Sequence, residues 1–152
     1  MRISRLELTD FRNYEHLAVE FQPGINVLVG PNGQGKTNVV EAVAYLATFS
    51  SHRVANDTAL VRAGCDRAVI RSLVDQGERT MGLDVQINPG RANRLQVNRA
   101  PVRRTRDALG IVRAVMFAPE DLGLVKGDPA ARRRFLDQLL VQTSPRFASV
   151  MA

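Results

Sequence analysis

Eight residues constrain this chain more than any others: GPNGQGKT, 30 to 37, placed directly after the apolar run INVLV and directly before TNVVEAVAYLATF. Gly30, Gly33, Gly35, Lys36 and Thr37 satisfy the phosphate-loop pattern G-x-x-x-x-G-K-[ST], with Pro31, Asn32 and Gln34 between them and Asn38 next. Each residue type has a physical task. Glycines reach positive φ and let backbone N–H groups face one concavity. The helix that follows adds the partial positive charge of its N-terminus. Lys36 reaches the β- and γ-phosphates as a point charge, and Thr37 offers a hydroxyl oxygen to Mg²⁺. A random chain of this length matches the pattern about 0.5% of the time. The context of a buried strand before and a helix after lowers that further, so bound Mg·ATP or a similar nucleotide is the first expectation.

The rest of the chain supplies strands and one more helix. Residues 3 to 11 and 16 to 21 alternate as strands joined by FRNYEH. INVLV, 25 to 29, and AVMF, 114 to 117, are short unbroken apolar runs, which predicts two strands buried on both faces. Residues 69 to 75 and 81 to 87 form the next pair, MGLDVQI giving the cleanest alternation. RLQV starts a further strand, and 103 to 110 a short helix. Asp128 is the expected N-cap of a last helix with Pro129 at its first position, and Ser144-Pro145 ends it. Phe135, Leu136, Leu139 and Leu140 give that helix one apolar face. No repeat or low-complexity linker divides the 152 residues, so they are read as one domain.

Composition sets the partner class. Lys plus Arg is 21 against 15 Asp plus Glu, a net charge of +6, which suits a polyanion such as nucleic acid. Arg99, Arg103, Arg104 and Arg106 cluster in NRAPVRRTR, and Arg132, Arg133 and Arg134 lead the last helix; both sets are candidates for DNA phosphates. Aromatic residues are 5% of the chain and do not interleave with these arginines, which favours a duplex backbone over stacked single strands. The single cysteine, Cys65, cannot form an intrachain disulfide, and no apolar run reaches membrane-spanning length, so a cytoplasmic protein is expected. His16 and His52 lack metal-ligand spacing; His52 is expected to support the SHR turn beside the nucleotide loop.

FRNY at 11 to 14, NGQGKTN at 32 to 38, SHR at 51 to 53 and PEDLGLVKG followed by RRRFLD, within 119 to 137, resemble the RecF family of DNA replication and repair proteins. The wider SMC and ABC-type head ATPases share the opening strand, the F-R/K turn and the phosphate loop. The resemblance implies an α/β fold: the first lobe of a P-loop NTPase, ABC-type ATPase head. Its mixed β-sheet would surround the P-loop helix, beside an antiparallel β-subsheet. It implies ATP and Mg²⁺ as cofactors, an ATP-dependent homodimer of the complete protein, and double-stranded DNA as partner. It also implies action with RecO and RecR to direct RecA to gapped DNA. Arg12 matches an arginine that such heads place near the nucleotide phosphates; on the residues alone, a surface turn arginine is the alternative.

Two parts of such an ATPase are missing from the sequence. No LSGGQ-like signature run occurs. The nearest approach to a Walker B strand is AVMFAPED, where Glu120 and Asp121 follow the apolar run only after Ala118-Pro119. These acids read equally well as a γ-phosphate-sensing loop of the Q-loop type or as turn caps. Residues 1 to 152 are thus expected to form a first lobe lying before the catalytic carboxylates, holding ATP without hydrolysing it alone. A self-contained P-loop kinase and a non-hydrolysing DNA-binding module with a relic loop are the alternatives. The kinase would need an acceptor site, a lid arginine and a base, and no such set is visible.

Overall fold

A computed structural model describes residues 1–118, 129–144 and 147, without the side chains of 131, 134 and 138. Its frame is a six-stranded sheet: β1 (Arg2–Phe11), β2 (Tyr14–Glu20), β3 (Ala68–Gln76), β4 (Arg79–Ile87), β5 (Arg94–Val97) and β6 (Ala100–Val102). The order across the sheet is β2-β1-β3-β4-β5-β6. Among the described residues two helices accompany it, α1 (Lys36–Thr48) and α2 (Pro129–Thr143), with 3₁₀ turns at Asp57–Leu60 and Thr105–Ala108.

Period-two alternation gives the sheet two unlike faces. Leu8 stands opposite Ile70, Ile70 opposite Val85 and Val85 opposite Leu95, so the register lines up one apolar face. That face forms a core with Val39, Ala42, Tyr45, Leu46 and Ala47 of α1. One residue along, Glu7 stands opposite Arg71, Arg71 opposite Asp84 and Asp84 opposite Gln96, giving a charged face. Asn98 and Arg99, both at positive φ, make the two-residue β5–β6 hairpin turn.

The expected antiparallel subsheet is therefore formed, and every strand pair among the described residues is antiparallel. The two segments expected to be strands buried on both faces are not. Residues 25–29 pair with no strand, and Ile25 is 93% exposed. Residues 114–117 are likewise unpaired, with Val115 89% exposed. A strand buried on both faces needs neighbours on either side, and no described strand lies beside either run.

The segment 103–110 contains a 3₁₀ turn rather than an α-helix. Pro129 opens α2 as expected, and Thr143 is its last residue. The apolar face of α2 is largely open, with Leu136 and Leu140 exposed. Asp128, Pro145, Glu120 and Asp121 lie outside the described residues. No helix among the described residues is long and apolar enough to cross a membrane.

Candidate nucleotide site and the charged surfaces

The glycine loop enters α1 through Gly35, whose φ of 96° is a left-handed value that L side chains resist. Space forbids a side chain there as well. A Cβ on Gly35 would lie 2.5 Å from Asn13 Oδ1 and 2.8 Å from Tyr14 Cζ. The FRNY turn is thus seated directly against the phosphate loop. Tyr14 donates its hydroxyl to Gln34 O at 3.2 Å, and Asn38 Nδ2 donates to Asn13 Oδ1 at 2.8 Å.

Lys36 Nζ donates to Gly30 O at 2.7 Å and to Pro31 O at 2.6 Å, which holds its charge at the rim of the loop. The N–H groups of Lys36 and Thr37, in the first helical turn, have no acceptor inside the helix. Amides, helix N-terminus and ammonium thus occupy one small volume and suit a polyphosphate. Thr37 sits at the second helical position with its hydroxyl engaged by no described residue, which fits a ligand to a phosphate-bound Mg²⁺.

Below the loop lies a network built on Glu41, the lone acid within TNVVEAVAYLATF. Glu41 is fully buried. Arg12 Nε donates to its Oε2 at 2.9 Å and Arg12 Nη2 to its Oε1 at 2.6 Å. Ser51 Oγ donates to Oε1 at 2.6 Å, and Arg53 Nη1 lies 3.3 Å from Oε2 and 3.1 Å from Asn38 Oδ1. Burial raises the Glu41 pKa. The hydrogen bonds from Arg12 and Ser51 and the charges of Arg12 and Arg53 outweigh it, so the group stays below the usual carboxylate range. FRNY and SHR therefore meet at one carboxylate, and NGQGKTN joins them through Asn38, which bonds Arg53 and Asn13.

Arg12 is brought to the nucleotide loop's underside, with its third guanidinium bond going to Ala59 O at 2.8 Å. Its described bonds all run to protein groups. His52 is exposed and lines a groove with Ala47, Val115 and Phe135, away from this network.

A second network ties α1 to the sheet. Tyr45 donates its hydroxyl to Asp57 Oδ2 at 2.6 Å; Asn93 Nδ2 donates to the same oxygen at 2.8 Å and to Tyr45 Oη at 3.0 Å. Burial, then the bond to Asp57, pushes the Tyr45 phenol well above its ordinary value.

The candidate DNA arginines are not one cluster. Arg99 is in the β5–β6 turn, beside Arg5, Glu7, Arg71 and Asp84 on the charged face. Arg103 and Arg104 follow Val102, which stands opposite Leu95, so they emerge at the other end of the sheet beside Arg94. Arg106 is exposed in the 3₁₀ turn that follows. Arg132 and Arg133 are exposed on α2, and the side chain of Arg134 lies outside the described residues.

The sequence profile described as the RecF/RecN/SMC N terminal domain matches residues 2–118. The DNA replication and repair protein RecF of Beutenbergia cavernae is 61% identical over 150 residues, which cover 99% of this chain and 38% of that protein. RecF of Acidothermus cellulolyticus is 60% identical over 152 residues, covering all of this chain and 41% of that protein. The chain thus spans about two fifths of the length of these relatives. A solved structure of the recombination mediator protein RecF with ATP, in the RecFOR pathway, superposes with a TM-score of 0.87 at 27% identity. It covers 93% of this chain, which spans 39% of that one. An SMC ATPase structure superposes with a TM-score of 0.70 at 20% identity, a likeness of fold. With the profile matched over most of its residues, the chain belongs to the RecF/RecN/SMC N-terminal domain family.

Proposed function

We propose that this chain is the nucleotide-binding first lobe of an ATP-switched, duplex-DNA-binding repair ATPase of the RecF type. The observation that carries the reading is the seating of the glycine loop. Gly35 is pinned between the FRNY turn and the start of α1, and Lys36 Nζ stands at the rim on Gly30 O and Pro31 O. The likeness to RecF solved with ATP supports ATP as the nucleotide.

In this reading Gly30 to Thr37 cradle the phosphates, Asn38 and Asn13 brace the loop, and Thr37 takes Mg²⁺. Bound Mg²⁺ would offset the charge of the β- and γ-phosphates. Arg12 serves the nucleotide through Glu41 by fixing α1 under the loop. The signature loop and the catalytic carboxylates come from outside these residues, so hydrolysis awaits a complete head and its dimer partner. Duplex DNA, RecR- and RecO-type mediators and RecA complete the set of partners, and the exposed arginines supply the DNA contacts.

Phosphate release from Mg·ATP by this chain, with duplex DNA present, tests the proposal. Release no greater than from Lys36→Ala, in a sample that binds ATP, is the expected result. Steady turnover that disappears in Lys36→Ala would mean that the chain carries its own catalytic acid.

A further inference from the structure

Most arginines of the sheet and the nucleotide network have a carboxylate close by. Arg2 pairs with Asp75, Arg5 with Glu7 and Glu20, Arg12 and Arg53 with Glu41, Arg62 with Asp10 and Glu15, and Arg71 with Asp84. Arg67, Arg91 and Arg94 do not. They are exposed, and no described carboxylate lies within ion-pair distance of any of them. Yet they converge. Arg67 precedes Ala68, which stands opposite Ile87, and Arg94 stands opposite Gln86, so both belong to the same end of the sheet. Together with Arg91 of the β4–β5 turn they line a cleft of about 610 Å³, in which Asp66 is the one acid among the described residues.

The turn that carries Arg91 and leads into Arg94 is braced by its own hydrogen bonds. Asn88 N donates to Asn93 Oδ1 at 2.9 Å, and Asn88 Nδ2 donates to Ala92 O at 3.1 Å. Asn93, between Arg91 and Arg94, is in turn bonded to Tyr45 of α1 and to Asp57. Three unpaired guanidinium groups gathered at one cleft give an anion several donors without first breaking an ion pair. No aromatic side chain among the described residues lines the cleft, so these residues offer charge without a stacking platform.

We propose that the cleft rimmed by Arg67, Arg91 and Arg94 holds the phosphodiester backbone of duplex DNA, each arginine taking a phosphate. The backbone then runs on toward Arg103 and Arg104, which emerge at the same end of the sheet. The inference rests on the DNA-binding half of the function proposed above and names its site. Because Asn93 fastens the turn to the phosphate-loop helix, the cleft moves with α1.

Fluorescence anisotropy of this chain with a labelled duplex of about 30 base pairs, over a series of salt concentrations, tests it. Arg67→Gln, Arg91→Gln and Arg94→Gln should each lower the steepness of log K against log salt by about 1, and the triple variant by about 2 to 3. The triple variant should lose at least about tenfold in affinity at low salt. Its thermal melt should match the wild type, and Arg79→Gln, at the opposite end of the sheet, should bind as the wild type does. An unchanged salt slope in the triple variant overturns the cleft, as does a wild-type chain that fails to bind the duplex at low salt. An ATP titration on the same samples separates the two proposals. Arginine-dependent DNA binding that ignores ATP keeps the cleft and removes the switch. ATP binding with arginine-independent DNA affinity does the reverse.

Discussion

Arg12 and Glu41, 29 residues apart in the chain, close a two-pronged ion pair, with Nε 2.9 Å from Oε2 and Nη2 2.6 Å from Oε1. The pair fastens the β1–β2 turn to the second turn of the phosphate-loop helix. Removing one partner leaves the other charge buried or unpaired, which is more costly than the pair is worth. Arg12→Ala should destabilise the chain by about 3 kcal/mol, read from urea unfolding. Arg12→Lys should restore only part of this, because an ammonium cannot form the fork. In Arg12→Ala/Glu41→Ala the two losses should fall short of adding.

The same carboxylate gives the fold a pH limit. Its folded pKa is depressed, so the unfolded chain binds the proton at higher pH than the folded one does. The stability it contributes is complete above the unfolded value, about 4.3, and is lost as pH falls through the folded value. Asp84 runs the other way: burial chiefly, with Glu7 adding and Arg71 opposing, raises its pKa, so its charge subtracts from stability at neutral pH. The urea midpoint should therefore stay level from about pH 7 to 5.5 and fall below about 4.5. Glu41→Gln should make that fall shallower, and Asp84→Asn should cost nothing at pH 7.

Gly35 is held by conformation and by space, and Gly90 by conformation alone. At Gly90, φ is 71° and nothing lies within 4 Å of a Cβ. Gly90→Ala should cost about 1 kcal/mol. Gly35→Ala must also push Asn13 and Tyr14 away, so it should cost more and weaken nucleotide binding. Thermal melts and an ATP titration on both variants check this.

Tyr45→Phe removes the hydroxyl that joins Asp57 and Asn93 while keeping the buried ring. A loss of about 1 to 2 kcal/mol in urea unfolding is expected. Faster amide exchange should be confined to the β4–β5 turn and the Asp57–Leu60 turn. Exchange rising evenly over the whole sheet would contradict a local role for this hydroxyl in holding the turn.

Some of this was legible in the sequence, for reasons specific to each element. MGLDVQI alternates cleanly because β4 has one face in the core and one in solvent. The phosphate loop declares itself because its chemistry is local. INVLV and AVMF misled because an apolar run reports a need for burial, while burial depends on which strands stand beside it. β6 was missed because three residues containing Pro101 carry almost no pattern. Glu41 had a signal, a lone acid within an apolar helix, and its partners Arg12, Ser51 and Arg53 are fixed only by tertiary structure. Arg67, Arg91 and Arg94 are scattered along the chain, and the strand register alone gathers them. NRAPVRRTR fell into two parts for the same reason: the short β6 carries Arg103 to the other end of the sheet from Arg99.

The most direct test of the account is a titration of ATP and Mg²⁺ into this chain, run beside Lys36→Ala. Lys36 contributes a charge-assisted contact worth about 1.5 kcal/mol or more to the phosphates, so its loss should weaken binding at least about tenfold. Saturable wild-type binding with that loss is the result the account predicts. Equal affinity in the two proteins, or no binding by a folded wild-type chain, would contradict the assignment of GPNGQGKT as a working nucleotide site.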